Sequence, residues 1–261
     1  MSRQRIDRLL AERGLASSRT AAAASVRAGN VRIGADGPIL ARPSELVEAD
    51  ADIVVAAPPR FVSRAGFKLE NALEELGIDV TGRDCLDIGA STGGFSDCLL
   101  KRGADRVIAL DVARGQIDQR IRDDQRVTVI ERVNARDIDP EALPFAASLA
   151  TIDVSFISLA KLLAPVLSAL APEGELLAMV KPQFELGKGR VRGGVVRSAA
   201  DRREALASVA SAAAAAGLHV AGVASSGLPG PKGNRETFLW LTRDQSAAVA
   251  DVNAAIEAVE T

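Results

Sequence analysis

Residues able to do chemistry fall into two groups. The first is a glycine-rich run, Leu86-Asp87-Ile88-Gly89-Ala90-Ser91-Thr92-Gly93-Gly94-Phe95, between a strand-like and a helix-like segment. Glycines there let backbone approach a ligand at the carboxyl edge of a parallel sheet. The spacing is GxxxGG rather than GxGxxG, and no GKS or GKT follows, so neither the dinucleotide nor the P-loop pattern is met. Asp87 stands just before the loop. A carboxylate is unwelcome beside a pyrophosphate and useful beside an ammonium group, which points to a nucleoside carrying a cationic amino acid, S-adenosylmethionine. The next strand ends in Leu110-Asp111-Val112, where a carboxylate can accept ribose hydroxyls. Asn134-Ala135-Arg136-Asp137-Ile138 follows the third strand, within reach of an adenine edge. The alternative is a plain strand-to-helix turn whose glycines serve packing.

The second group is dispersed: Lys68 early in a helix, Asp153 at a strand end, Lys181 at the next strand end, and Glu236 in PKGNRETF. Lysines held together weaken each other's hold on a proton, and nearby carboxylates oppose that. Such a cluster can offer a neutral amine as a base toward a ribose hydroxyl. Each of the four alone reads more readily as a solvated surface charge, and spacing alone does not identify a site.

These residues need elements to position them. RIDRLLAERG puts Ile6, Leu9 and Leu10 on one helical face, and Gly14 stops it. Ser17 or Ser18 can cap a second helix, RTAAAASVRAG. Short strand-like pieces follow, NVRIG, PILARPSELV and ADIVVA, and then the stiff Pro58-Pro59. Residues 1–57 therefore read as a small α+β domain and 58–63 as a linker. From residue 64 to 261, SRAGFKLENALEELG is an amphipathic helix, after which strand and helix alternate: DCLDIGA, GGFSDCLLKRGA, RVIALDV, RVTVIER, SLATIDVSF, ISLAKLLAPVLSAL, GELLAMVKP and AADRREALASVASAAAAAG. LHVAGVASSG and NRETFLWLTR have no helix between them and should pair antiparallel. An alanine-rich tail helix closes the chain. The pattern predicts an α/β fold, a largely parallel sheet covered on both faces.

Composition narrows the chemistry. The 261 residues include no tyrosine and one histidine, His219, so a Ser-His-Asp hydrolase or a multi-histidine metal site is not expected, and no metal is. Cys85 and Cys98 cannot build a disulfide framework. MSRQRIDRLL is charged throughout, unlike a signal peptide. The longest apolar stretch carries Lys161 and Pro165 and is too short to span a membrane. These features predict a soluble, cytoplasmic protein, with nothing to compel a dimer, hence a monomer. Residues 1–34 hold seven arginines against Asp7 and Glu12, a basic surface that points to a polyanion. With 26 arginines and only 6 lysines, a lysine inside a polar motif stands out.

LDIGASTGGFSD resembles the cofactor loop of the FtsJ-like RNA ribose 2′-O-methyltransferases, and Lys68, Asp153, Lys181 and Glu236 fall where their Lys-Asp-Lys-Glu tetrad would fall. RIDRLLAERGLASSRTAAAASVRAGNVRIG resembles the S4 RNA-binding module. Together with VSRAGFKL, DVSFISL, VKPQFELGKG and the GNRE run, the chain is similar along nearly its whole length to the TlyA family, whose members are known both as haemolysins and as ribosomal RNA cytidine 2′-O-methyltransferases. Two departures are visible. Arg42 precedes Pro43-Ser44 where the S4 module often has lysine, and Ser91-Thr92 replaces a small residue and proline in the loop.

The resemblance implies a Rossmann-like S-adenosylmethionine methyltransferase domain behind a small S4-like domain. It implies ribosomal RNA or ribosomal subunits as partner. Asp87, Gly89, Ser91, Thr92, Gly93, Gly94, Phe95, Asp111, Val112, Asp137 and Ile138 would serve the cofactor. Lys181 would be the base, Lys68 would steer the nucleophile, and Asp153 and Glu236 would hold the lysines. Arg5, Arg8, Ser18, Arg19 and Arg27 would meet RNA, positioning without reading sequence. The basic run Gly187–Gly194 is expected to be a mobile loop beside the site. A membrane-lytic role finds no amphipathic cationic helix. A non-catalytic RNA-binding role is the main rival. Base methylation is disfavoured, because Asp153-Val154-Ser155-Phe156 lacks the Pro-Pro of that chemistry.

Overall fold

The computed structural model describes residues 3–16, 18–27, 29–56, 60–191, 193–230 and 232–260. Ser17, Pro58-Pro59 and Arg192 lie outside them. The chain divides into two compact units, Met1–Arg60 and Phe61–Thr261.

In the first unit, β1 (Arg3–Arg5) leads into α1 (Ile6–Glu12), followed by α2 (Arg19–Arg27), β2 (Val31–Ile33), β3 (Leu46–Glu48) and β4 (Ile53–Val55). Ile6, Leu9 and Leu10 are buried as the helical spacing predicts, against Ala22 and Val26 of α2 and Val31 and Val47 of the strands. β1 pairs β3 and β2 pairs β4, both antiparallel. The predicted strand PILARPSELV is mostly irregular. Only Leu46–Glu48 joins a ladder, with Ile39 making an isolated bridge to Arg32. Pro38 and Pro43 have no N–H to donate to a ladder.

The second unit begins earlier than the sequence suggested. Phe61, assigned above to the linker, is buried, and its ring meets Phe67 edge-on at 4.9 Å. α3 (Ala65–Leu76) follows, buries Leu69 and Leu73, and ends at Gly77, whose left-handed φ of 68° closes the cap. Then come β5 (Asp84–Ile88), α4 (Gly94–Lys101), β6 (Arg106–Asp111), α5 (Gln119–Arg122), β7 (Val127–Glu131), β8 (Ala147–Ile152), α6 (Leu163–Ser168), β9 (Leu170–Val180), α7 (Pro182–Glu185), α8 (Ala199–Ala215), β10 (His219–Ser225), β11 (Thr237–Thr242) and α9 (Val252–Val259). ISLAKLLAPVLSAL is not one helix. It breaks at Leu162 into a 3-10 turn, Leu159–Lys161, and α6. Pro165 has no N–H for a continuous helix but fits the first turn of a new one.

The seven strands lie in the order β10-β11-β9-β8-β5-β6-β7. β9, β8, β5, β6 and β7 run parallel, while β11 is antiparallel to both β9 and β10. Both faces are covered, so Val107–Leu110 of β6 are buried without alternation. From β5 the chain first builds β6 and β7 on one side and then β8 on the other. The β5/β8 boundary is therefore the switch point where sheets of this kind bind ligands.

Candidate active site

Gly89 ends β5 and Asp153 ends β8 on either side of that boundary, tied by the Asp153 N–H to the Ile88 carbonyl at 2.9 Å. Gly89 has φ 81°, and a Cβ there would lie 2.3 Å from the Asp153 carbonyl oxygen. No side chain fits. The strand ends open into a cavity of about 770 Å³ lined by residues including Gly89, Ser91, Asp111, Val112, Gln116, Asn134–Arg136 and Asp153–Ser158. That volume suits a cofactor-sized molecule. The Asp111 carboxylate accepts the Ser91 and Ala113 N–H groups at 2.7 Å each, shaping the glycine loop around itself. The carboxylates lining the cavity are Asp111 and Asp153, a donor set that suits a cationic nucleoside such as S-adenosylmethionine.

Several expected cofactor residues are elsewhere. Asp87 is fully buried. Its carboxylate accepts the N–H and hydroxyl of Ser96 at 2.9 and 2.7 Å and the Thr151 hydroxyl at 3.3 Å. It caps the first turn of α4, where the helix dipole favours an anion. Burial pushes its carboxyl up to about 7 against the pull of Ser96, and the charge of Asp153 adds to the rise. Gly93 caps α4 at φ 89°. Gly94 lets α4 approach Ser63, whose hydroxyl oxygen would lie 2.2 Å from an added Cβ. Phe95 is core, stacked near Phe238 at 5.9 Å. Thr92 and Asp137 are exposed away from the cavity lining, and Ile138 is buried in the core. Of the run expected at an adenine edge, Asn134, Ala135 and Arg136 line the cavity, and the Asn134 side chain caps the 3-10 turn Ala135–Asp137 by accepting the Arg136 N–H. The sequence marked that run but not the face it turns.

The dispersed charges do assemble, as two ion pairs. Lys68 donates to Glu236, both buried. Lys181 pairs with Asp153, and its Nζ also donates to the Ser155 hydroxyl at 3.2 Å. Val180 of β9 sits opposite Thr237 of β11, so Lys181 and Glu236 flank one another at the sheet edge. Glu236 reaches the edge only because β11 runs backwards. Gly230 makes room for it, since a Cβ there would lie 2.5 Å from the Glu236 carboxylate. Two residues escaped sequence reasoning. One is Ser155. The other is Phe156, 91% exposed on the cavity rim with φ 66° and its ring 5.0 Å from that of Phe184. A lone aromatic among small residues was the available signal.

In the first unit, Asp7 is buried and holds Arg5 at 2.8 Å and Arg19 at 3.2 Å, which draws its carboxyl down to about 2. Arg8 pairs with Glu12 at 2.6 Å, and Arg27 is exposed at the end of α2. Ser18 accepts the Ala21 N–H at 3.1 Å, a helix-capping contact. The arginines keep exposed faces. Within the described part of the basic run, Arg190 pairs with Asp201 and Glu204 of α8, and the Gly194 carbonyl accepts from Asn234, whose side chain also accepts the Val196 N–H. Among the described residues no group of His, Cys, Asp or Glu could hold a metal ion, and no helix is long and apolar enough to cross a membrane.

Comparison with known proteins places this geometry. Residues 61–243 match the family model of the FtsJ-like methyltransferases. The 16S/23S rRNA (cytidine-2′-O)-methyltransferase TlyA of Mycobacterium tuberculosis is 45% identical over 95% of this chain and 93% of its own. Hemolysin A of Brachyspira hyodysenteriae is 38% identical over 89% of this chain and 97% of its own. A solved chain from Streptococcus thermophilus, which carries a provisional hemolysin name, is 35% identical and superposes with a TM-score of 0.74 over 99% of this chain and 94% of its own.

Proposed function

The chain belongs to the FtsJ-like methyltransferases and to the TlyA proteins among them, and from that premise we propose that it methylates ribosomal RNA on a ribose 2′-oxygen, at cytidine, in the small subunit, the large subunit or both. The observation that carries the reading is the meeting of Lys68, Asp153, Lys181 and Glu236, from separate elements, at the sheet edge beside the cavity.

Gly89, Ser91, Asp111, Val112 and Asn134–Arg136 would hold the cofactor. S-adenosylmethionine, when bound, supplies a methyl group activated on a sulfonium. Lys181 acts as the neutral amine: its two N–H groups donate to Asp153 and Ser155, which aim the Nζ lone pair at the ribose hydroxyl whose proton it takes. Lys68, fixed by Glu236, steadies the negative charge that grows on the ribose oxygen. The target nucleotide leaves its stack to enter the site. The exposed Phe156 ring at the rim offers its base a stacking face. The first unit serves as an S4-like anchor, with Arg5, Arg8, Arg19 and Arg27 meeting phosphates. A ribosomal substrate sets this work in the cytoplasm.

The test uses purified protein, radiolabelled S-adenosylmethionine, and separate small subunits, large subunits and free ribosomal RNA from a strain lacking the protein. Label in alkali-resistant dinucleotides is expected, because a 2′-O-methyl group blocks alkaline cleavage. Label in alkali-labile mononucleotides would move the chemistry to a base. No label, with cofactor binding intact, would leave a non-catalytic binding role.

A further inference from the structure

The segment Lys181–Glu185 runs beside the loop Asp153–Leu159 and grips it repeatedly. Lys181 holds Asp153 and Ser155, and the Phe184 ring meets that of Phe156. Beyond these, the Glu185 carboxylate accepts the Ser158 hydroxyl on Oε2 at 2.7 Å and the Leu159 N–H on Oε1 at 2.9 Å. Ser158 in turn caps the turn Leu159–Lys161.

Between these grips stands Phe156, in a conformation that is costly twice over. Its φ of 66° is left-handed, a strained region for a bulky side chain. The residue is also 91% exposed. Such a residue persists only where its surroundings hold it. On one side the holding is done by Lys181, already engaged with Asp153. On the other side it is done by Glu185, which does not line the cavity.

We infer that Glu185 is a positioning residue: its carboxylate clamps Ser158 and Leu159 so that Phe156 stays presented to the incoming nucleotide. The clamp is read from geometry, and its consequence for catalysis rests on the ribose methylation proposed above. Glu185→Gln retains a carbonyl for the Leu159 N–H and an amide able to donate to Ser158, whereas Glu185→Ala retains neither.

The test compares these two variants of the full chain with Phe156→Ala and with the Phe156→Ala/Glu185→Ala double variant. Initial rates of ribosomal RNA methylation are measured alongside cofactor affinity and Tm. Glu185→Ala is expected to raise KM for RNA at least about fivefold, with cofactor affinity and Tm near wild type, and Glu185→Gln to restore most of the loss. In the Phe156→Ala background Glu185→Ala should cost nothing further, because it acts through the ring. Losses that multiply in the double variant, or a Glu185→Ala enzyme as effective as wild type, would overturn the inference. A second readout needs no RNA. In a Trp240→Phe background, Phe156→Trp places the single indole on the loop, and adding Glu185→Ala should lower its fluorescence anisotropy. Unchanged anisotropy overturns the clamp even where methylation is intact. Absence of methylation by the wild type refutes the proposed reaction and leaves the anisotropy result to judge the clamp.

Discussion

The Lys68 ammonium donates to the Glu236 carboxylate across 168 residues of chain, with Lys68 8% and Glu236 2% exposed. A buried ion pair of this kind seldom repays its desolvation in stability, but breaking it by removing one partner is expensive. Lys68→Ala should therefore lower unfolding free energy by roughly 3–5 kcal/mol and abolish transfer. The Lys68→Met/Glu236→Leu double variant should recover stability in urea titrations and remain inactive. Recovered activity would remove both residues from the chemistry.

Lys181→Ala should reduce kcat by about 10²–10⁴-fold, the usual contribution of a positioned base. Cofactor affinity by calorimetry should stay unchanged, since the Asp111 loop is untouched. Asp111→Asn should do the reverse. It turns an NH₂ toward the Ser91 or Ala113 N–H, and cofactor affinity should fall by roughly 1.5–3 kcal/mol, the scale of a lost hydrogen bond to a charged group.

Asp87 makes stability depend on pH in an unusual direction. Its carboxyl is raised to about 7, from an ordinary value of 3.8, by burial. Between pH 4 and 7 the native state keeps a proton that the unfolded chain has lost, so stability falls as pH rises and levels off above 7. At about 1.4 kcal/mol per pH unit the full loss is on the order of 4 kcal/mol. Asp87→Asn, which keeps an acceptor for Ser96, should flatten the fall in denaturation curves recorded at pH 5 and 8. An equal slope in wild type and variant would show that another group sets it.

Arg19→Ala and Arg27→Ala should weaken binding to ribosomal RNA uniformly across sequences. Each should reduce the slope of log K against log salt by about 1, as expected for a phosphate contact. Arg5 also holds the buried Asp7, so that carboxylate keeps a partner when Arg19 is replaced. An unchanged slope would make these arginines structural.

Glu260 bonds the Arg202 guanidinium of α8 and the Thr237 hydroxyl of β11, with Arg202 and Glu260 both buried. Glu260→Ala would remove the carboxylate from the buried Arg202, leaving it the Arg197 carbonyl, and should destabilise the second unit by about 3–5 kcal/mol in urea unfolding. A change below about 1 kcal/mol would mean that water reaches Arg202, as it does at exposed pairs.

Much of the fold was legible because it is written in short-range patterns. Ile6, Leu9 and Leu10 declare a helix face, the apolar run Val107–Leu110 declares a strand covered on both sides, and the turn at Gly89 declares a loop that backbone must approach. Asp111 was legible for the same reason, as an acid at the end of a buried strand. The expected cofactor residues whose side chains lie away from the cavity share one cause. Asp87, Phe95 and Ile138 stand within or beside segments that reach the cavity, but their side chains turn into the core. Position along the chain marks a strand end without telling which neighbour closes over it.

The sequence by itself determined the alternation of strands and helices, the glycine loop with its flanking acids, and the basic character of the first unit, since each depends on residues within a few positions of one another. Only the tertiary structure decided the site. It set β8 beside β5 so that Asp153 faces Gly89, and it reversed β11 so that Glu236 arrives beside Lys181 and reaches Lys68. It also spent Asp87 on capping α4. Those outcomes follow from strand order and direction, which are settled by burying two sheet faces at once and leave no local trace in the chain.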